Sequence, residues 1–140
     1  MRILNIDNDF QEITGNDGLL DNHYWIILSM DEIDKLDDFM SVDEETINEC
    51  KSLSQVPKIS FFDGYIFLIF NVLNYVEEIV ISKELNVFLS RNYIITVYKD
   101  RIDILDILIK DINDSKDCFV LKDNPKVCIL LYYILDRIVV

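Results

Sequence analysis

One stretch of the chain, residues 57–70, constrains the fold more than any other. Asp63-Gly64 lies between two apolar runs, and this dipeptide is a strong indication of a β-hairpin because both residues tolerate positive φ angles. In the second run both alternating sets of side chains are apolar, namely Tyr65, Phe67 and Ile69 in one set and Ile66, Leu68 and Phe70 in the other. A strand that is apolar on both faces is typical of a sheet covered on both sides by helices.

The remaining segments predict further strands and several amphipathic helices. Apolar, β-branched and aromatic runs predict strands at Tyr24–Leu28, Tyr75–Ile81, Leu85–Leu89 and Tyr93–Tyr98. Ser29 and Ser41 are each followed three residues later by a glutamate, and this capping-box pattern predicts two helices, the second ending near Leu53. Apolar periodicity predicts two more helices, over Arg101–Ile112 and from Pro125 onward.

This order of elements is not a strict alternation of strands and helices. It predicts an α/β fold, an α/β/α sandwich whose central sheet is mixed, parallel and antiparallel. With 140 residues the chain is expected to form a single domain over 1–140. The final apolar helix pattern reaches Val140 without a glycine or asparagine to end it, so we expect a longer protein in which this helix continues.

The net charge of −13 excludes some classes of partner. A nucleic-acid-binding protein needs a basic surface, and anionic lipid attracts cations, so neither partner is expected. An acidic surface suits divalent cations or basic proteins, and solubility alone also accounts for it. The cysteines Cys50, Cys118 and Cys128 are odd in number and lack CxxC spacing, which indicates reduced thiols in a cytosolic setting.

Neither a membrane span nor an enzyme is indicated by the sequence. No apolar run approaches the ~18 residues of a membrane helix, and no signal peptide is visible. No GxSxG, P-loop, GxGxxG or HExxH motif occurs, and the single histidine, His23, has no identifiable nucleophile with it. We therefore expect no catalytic residue and no bound organic cofactor.

Acidic residues are the most abundant ionisable side chains of the chain. Nine lie between Asp31 and Glu49, and most are explained as solvated residues near helix N-termini. Two carboxylates are harder to explain. Glu49 comes late in its predicted helix, away from the favourable N-terminal dipole. Asp136 interrupts an apolar helix, where a carboxylate needs a partner or a cation or else its pKa rises, and a pair with an arginine or lysine is favoured over a metal ion.

Four motifs in register resemble the cytosolic N-terminal domain of CorA-type magnesium transporters. They are Pro57-Lys58-Ile59 with Phe61-Phe62 and Gly64–Ile69, Tyr24-Trp25-Ile26 with its acidic helix, Leu85–Leu89 with Asn92–Val97, and Leu130–Val139. Val56 and Ser60 depart from the family pattern, which has arginine and glutamate there, and Asn48 replaces the other acid of the family pair to which Glu49 corresponds.

The resemblance implies a regulatory domain on a stalk helix, followed by two membrane helices and a Gly-Met-Asn pore loop in a homopentamer. It implies that Mg²⁺, or Co²⁺ or another divalent cation, binds weakly between neighbouring cytosolic domains and holds the channel closed. The family's acidic positions fall on Glu49 and Asp136, which become the candidate metal ligands. The fragment would lie on the cytoplasmic side of the cell membrane, held there only by the missing C-terminal part.

The sequence therefore predicts the cation-sensing and gating domain of a CorA-like divalent-cation transporter. An alternative interpretation is an acidic module that binds a basic protein and senses no metal. The net charge of −13 is compatible with both.

Overall fold

The structure is a computed structural model that describes residues 1–14, 22–52, 56–100, 103–114, 121, 123 and 126–139. Its strands are β1 (Arg2–Asn5), β2 (Gln11–Ile13), β3 (Tyr24–Ser29), β4 (Lys58–Phe62), β5 (Tyr65–Val76), β6 (Ile79–Leu89) and β7 (Tyr93–Tyr98). Its α-helices are α1 (Glu44–Lys51), α2 (Asp103–Asp114) and α3 (Val127–Val139), and 3₁₀ segments cover Ile6–Asn8 and Met30–Asp38.

The described strands form one mixed sheet in the order β2-β1-β3-β7-β6-β5-β4. Strands β3 and β7 are parallel, with Trp25 opposite Ile94 and Leu28 opposite Val97. The other neighbouring pairs are antiparallel. The parallel pair joins two antiparallel groups of strands and lies inside the sheet, as parallel strands usually do.

Helical layers cover both faces of this sheet, which confirms the predicted α/β/α sandwich. Along β6, Leu85 and Val87 belong to the core beneath α2 and α3, together with Leu108 and Leu130. The alternating residue Phe88 belongs to the opposite core. That second core contains Ile33 and Leu36 of the 3₁₀ segment and Cys50 of α1. Successive side chains of a strand point to opposite faces, so each helical layer buries its own set.

The predicted hairpin at Asp63-Gly64 is confirmed. Phe62 pairs with Tyr65 across the turn, and Gly64 has a φ angle of 90°, which glycine adopts without steric cost. Strand β5 is buried on both faces near this turn, since Phe67 and Leu68 are 0% and 4% exposed and belong to opposite cores.

The predicted strand Tyr75–Ile81 is wrong, because the chain reverses in the middle of it. Val76 pairs with Ile79, and Glu77 and Glu78 form the turn with φ angles of 50° and 66°. Two positive φ angles are the geometry of the tight hairpin turn that asparagine and glycine favour. Neither residue type is present at this turn, so turn chemistry did not reveal it, and β6 begins at Ile79 instead of Leu85.

The helix predicted to begin after Ser29 is a 3₁₀ segment and not an α-helix. Its capping box is present, since the Ser29 N–H donates to Glu32 Oε1 at 3.1 Å. The apolar residues of this segment recur at every third position, namely Met30, Ile33, Leu36 and Phe39, and all four pack on the same core. This spacing matches three residues per turn and is the sequence feature that indicates a 3₁₀ helix.

The α-helices lie close to their predicted positions. Asp43 is the N-cap of α1 in place of Ser41, and Ser52 is its C-cap, while Leu53 lies outside the described residues. Helix α2 ends at Asp114, two residues after the predicted end. The turn predicted at 16–18, Cys118 and Pro125 also lie outside the described residues.

Candidate metal centre

Glu49 is held on a well-packed helix. Its neighbour Cys50 is completely buried in the core, and Thr46 Oγ1 lies 3.2 Å from the Tyr65 hydroxyl. These contacts fix α1 on the sheet and leave the Glu49 carboxylate partly exposed beside β4. There it forms an ion pair with the Lys58 ammonium. The charged partner of Glu49 is therefore a lysine of the same chain.

Asp136 lies on α3 and is exposed. Helix α3 packs through Leu130 and Ile134 on one face of the sheet, whereas α1 packs through Cys50 on the other. Because each helical layer lies about 10 Å from the sheet, the two helices are roughly 20 Å apart. Glu49 and Asp136 of one chain therefore cannot bind the same metal ion.

The described residues contain no group of three or more histidine, cysteine, aspartate or glutamate side chains placed to hold a metal ion. Divalent magnesium and calcium are bound by several oxygen ligands. A metal ion at Glu49 or Asp136 therefore needs ligands from another subunit, from water, or from residues beyond the described part of the chain.

The acidic stretch from Asp31 to Glu49 is mostly solvated. Seven of its nine carboxylates are exposed: Asp31, Asp34, Asp37, Asp38, Asp43, Glu44 and Glu45. The other two are half-buried: Glu49 pairs with Lys58, and Glu32 caps the 3₁₀ segment and lies 2.6 Å from the Met1 ammonium. Burial alone raises its pKa, but hydrogen bonds from Met1, Ser29 and Lys35 outweigh this and lower the pKa to about 2.

A buried polar cluster, defined by Glu84, Asn86, Lys99 and the Ser52 carbonyl, was not predicted from the sequence. The Lys99 ammonium lies 2.8 Å from Glu84 Oε2 and also donates to the Ser52 carbonyl oxygen at the end of α1. Asn86 is completely buried and donates to Glu84 Oε2 at 3.1 Å. The polar residue Asn86 between Leu85 and Val87 was the one sequence feature that could have indicated this cluster.

The Asn86 side chain is incompletely satisfied. Its Oδ1 atom is buried without a hydrogen-bond partner among the described residues. Cys50 lies in the same part of the core, where burial raises the pKa of its thiol to about 12 despite the nearby Lys99 ammonium. The thiol is therefore protonated at neutral pH and behaves as a small apolar side chain.

His23 makes structural contacts with the segment that follows β1. Its backbone N–H donates to Asp7 Oδ2 at 2.6 Å, and its Nδ1 lies 3.0 Å from the same oxygen. Its carbonyl accepts from the Ile6 N–H at 2.9 Å. These contacts tie the residue before β3 to the 3₁₀ turn after β1.

A family model described as CorA-like Mg²⁺ transporter protein matches residues 21–140. The chain belongs to this family. The CorA-like family is a transporter family, and its model covers β3 and every later element of the sandwich. Among curated protein sequences, none matches the chain significantly.

Several solved structures have the same fold as this chain. The soluble domain of CorA from Methanocaldococcus jannaschii superposes with a TM-score of 0.75 at 18% identity, over 98% of this chain and 54% of that one. The ZntB cytoplasmic domain from Vibrio parahaemolyticus RIMD 2210633 gives 0.74 at 12% identity, over 99% and 57%. The full-length CmaX protein gives 0.74 at 14% identity, over 98% and 43%.

The chain spans about half the length of these solved relatives. Among the described residues, no helix has both the length and the apolar character required to cross a membrane. The CorA-like sandwich therefore corresponds to one part of each relative, and the relatives contain further segments beside it.

Proposed function

We propose that this chain is the cytosolic regulatory domain of a CorA-like divalent-cation transporter. The observation that carries the proposal is the family match over residues 21–140, on a sandwich whose superposition with CorA from M. jannaschii covers 98% of this chain. The whole protein would assemble as a homopentamer and conduct Mg²⁺, Co²⁺ or another divalent cation. The domain would lie at the cytoplasmic side of the membrane, which the rest of the protein crosses.

The proposed mechanism is feedback by the transported cation. Glu49 and Asp136 lie on opposite faces of one chain, an arrangement suited to contacts with two different neighbours in a ring. A divalent cation would bridge these carboxylates to groups of adjacent subunits and stabilise the closed assembly. Loss of the cation would leave like charges facing each other, in a domain that already carries −13, and would favour opening.

The test is the response of thermal unfolding and sedimentation to millimolar MgCl₂. A ligand at ten times its dissociation constant stabilises by about 1.4 kcal/mol, which raises the midpoint by about 4 °C in a domain of this size. We expect this rise, or a shift to oligomers, in the wild type and a smaller response in Glu49→Ala and Asp136→Ala.

Glu45→Ala is the matched control, since Glu45 is an exposed carboxylate of the same helix as Glu49. It should respond to MgCl₂ as the wild type does. An unchanged midpoint and an unchanged sedimentation profile in the wild type would contradict cation sensing. If the domain instead binds a basic protein and MgCl₂ does not change this binding, the acidic interaction module is favoured.

A further inference from the structure

Strand β4 forms one edge of the sheet and pairs only with β5 among the described strands. Two large apolar side chains of this strand, Ile59 and Phe61, are 56% and 77% exposed. They lie opposite Leu68 and Ile66 of β5, on the face of the sheet that α2 and α3 cover. A sheet edge offers unpaired backbone N–H and C=O groups to another strand, and exposed aromatic and β-branched residues leave such an edge open to pairing.

The hairpin turn determines which backbone groups of β4 point outward. Phe62 and Tyr65 flank the two-residue turn and therefore form a hydrogen-bonded pair. Hydrogen-bonded and non-hydrogen-bonded pairs alternate along an antiparallel ladder, so Ser60 directs its backbone groups toward β5. Ile59 and Phe61 direct theirs away from the sheet. The two exposed apolar residues therefore also carry the N–H donors and carbonyl acceptors of this edge.

The outward groups of β4 are complementary to those of a second copy in antiparallel orientation. When Ser60 faces Ser60 of the second copy, Ile59 of each chain faces Phe61 of the other. Each facing pair of Ile59 and Phe61 can then exchange both N–H···O bonds, and the apolar side chains of the two copies meet on one face. Pro57 has no N–H and the turn begins at Asp63, so the pairing stops at both ends.

The charges along this edge favour a second copy over a basic partner. The chain carries −13, yet residues 56–62 contain no acidic residue and one lysine, Lys58. A basic partner is attracted to the acidic surfaces instead, whereas two copies repel each other least where this edge meets itself. The antiparallel arrangement also brings Asp63, just past one end of the strand, close to Lys58 of the second copy. A parallel arrangement would place lysine beside lysine.

We propose that β4 is a self-association edge, through which two copies of this chain pair antiparallel about Ser60 and join their sheets. The contact is isologous, so it closes as a dimer and does not propagate. Contacts within the proposed homopentamer are heterologous, so this pairing would join subunits of two different assemblies. The pairing requires no cation, and it holds or fails independently of cation sensing.

Sedimentation velocity in EDTA, from about 10 µM to about 1 mM protein, tests the pairing, since one short strand per copy buries a small area and gives a weak dimer. The wild type should shift from monomer to dimer across this range. Phe61→Lys should remain monomeric, because a lysine at the edge disfavours strand pairing. Leu73→Lys is the matched control and should dimerise like the wild type. Leu73 is also exposed, at 65%, but it lies on β5 beyond the segment that pairs with β4.

Disulfide cross-linking measures the register of the two strands in a Cys118→Ser/Cys128→Ser background, where the remaining Cys50 is buried. Ser60→Cys should link two chains under mild oxidation, because the Cα atoms of a facing non-hydrogen-bonded pair lie about 4.5 Å apart. Val56→Cys is the control for random collisions. Val56 is 75% exposed, but its two copies would lie more than about 20 Å apart, too far for a disulfide.

Several results would overturn the pairing of β4 with a second copy. One is a wild type that stays monomeric across the whole concentration range, and another is equal cross-linking of Ser60→Cys and Val56→Cys. A dimer that Leu73→Lys dissociates and Phe61→Lys leaves intact would place the contact elsewhere on the sheet. A dimer that forms only in MgCl₂ would belong to cation sensing and not to this edge. Circular dichroism checks that each variant is folded, as expected for substitutions of exposed side chains.

Discussion

Two lysines hold helix α1 against the sheet through contacts of different character. The Lys58–Glu49 pair is partly exposed, and such pairs contribute little to folding stability. The Lys99–Glu84 pair is much more buried, with side chains 16% and 9% exposed. Because removing one partner of a buried charge pair is strongly destabilising, we expect Lys99 to contribute more to folding stability than Lys58.

Lys99→Met should therefore destabilise the protein by about 3 kcal/mol, since it leaves the Glu84 carboxylate buried without its ammonium partner. Urea unfolding followed by circular dichroism measures this loss. Lys58→Met and the exposed Lys51→Met should each cost less than about 1 kcal/mol. If Lys99→Met loses no more folding stability than the two exposed variants, the Lys99 cluster does not stabilise the fold.

The cysteines should differ sharply in reactivity. Burial raises the pKa of the Cys50 thiol to about 12, whereas Cys128 is exposed on α3. In a Cys118→Ser background, iodoacetamide at neutral pH should modify Cys128 within minutes and Cys50 only after unfolding. Mass spectrometry of peptides from native and urea-treated protein checks this. Rapid native alkylation of Cys50 would contradict its burial.

Glu32 should give the protein a pH-dependent contribution to stability. Its pKa is 4.5 in the unfolded reference and about 2 in the fold, so the stabilisation is present above pH 4.5 and is lost as the pH falls toward 2. Glu32→Gln should cost about 1 kcal/mol at pH 7 after solvent screening, and the difference from wild type should vanish near pH 2.

Thermal unfolding of wild type and Glu32→Gln between pH 2 and pH 7 measures this difference. The exposed Glu45→Gln serves as the control for the removal of one carboxylate. A constant difference between Glu32→Gln and wild type across the whole range would mean that Glu32 acts through packing and not through charge.

At the scale of elements, the hairpin between β5 and β6 extends past the rest of the sheet. Strand β6 pairs with β7 only from Leu85 to Leu89, while its pairing with β5 continues to the turn at Glu77 and Glu78. Leu73 and Val80 are exposed on this two-stranded extension. Pairing between only two strands holds this extension together, so the conformation of its turn contributes to its stability.

The double change Glu77→Asn/Glu78→Gly should stabilise the protein by about 1 kcal/mol, because asparagine and glycine adopt the positive φ angles of this turn at lower steric cost. Chemical denaturation measures the gain. Glu77→Gln/Glu78→Gln removes the same charges but keeps side chains that disfavour this conformation. If both double variants gain equally, charge repulsion and not backbone strain is responsible.

Local patterns predicted some elements well and misplaced others. The Asp63-Gly64 turn and the start of the segment after Ser29 follow from residues that are adjacent in sequence, so they were predicted. The turn at Glu77-Glu78 has no favourable residue of its own. It forms because pairing along β5 and β6 outweighs the local preference, and such long-range pairing is not visible in a short window.

At the scale of the whole molecule, acidic charge dominates. The protein has 26 acidic and 13 basic residues apart from its single histidine, so its folded state carries repulsion between like charges.

Screening should therefore stabilise the fold without any metal. We expect 0.5 M NaCl to raise the unfolding midpoint by about 3 °C relative to about 20 mM, because the Debye length falls below the spacing of surface charges. Choline chloride should have the same effect, since it screens without binding carboxylates. A lower midpoint in both salts would mean that attractive ion pairs outweigh the repulsion.

By itself the sequence determined the α/β class, the Asp63-Gly64 hairpin and the family, because alternation, turn chemistry and ordered motifs are local properties of the chain. It also indicated that the Asp136 carboxylate, inside an apolar helix, needs a partner. Only the tertiary structure decided that Glu49 pairs with Lys58 and that Asp136 lies across the sheet. The face on which a helix packs depends on apolar surfaces contributed by distant segments, and charged side chains follow the helix that carries them.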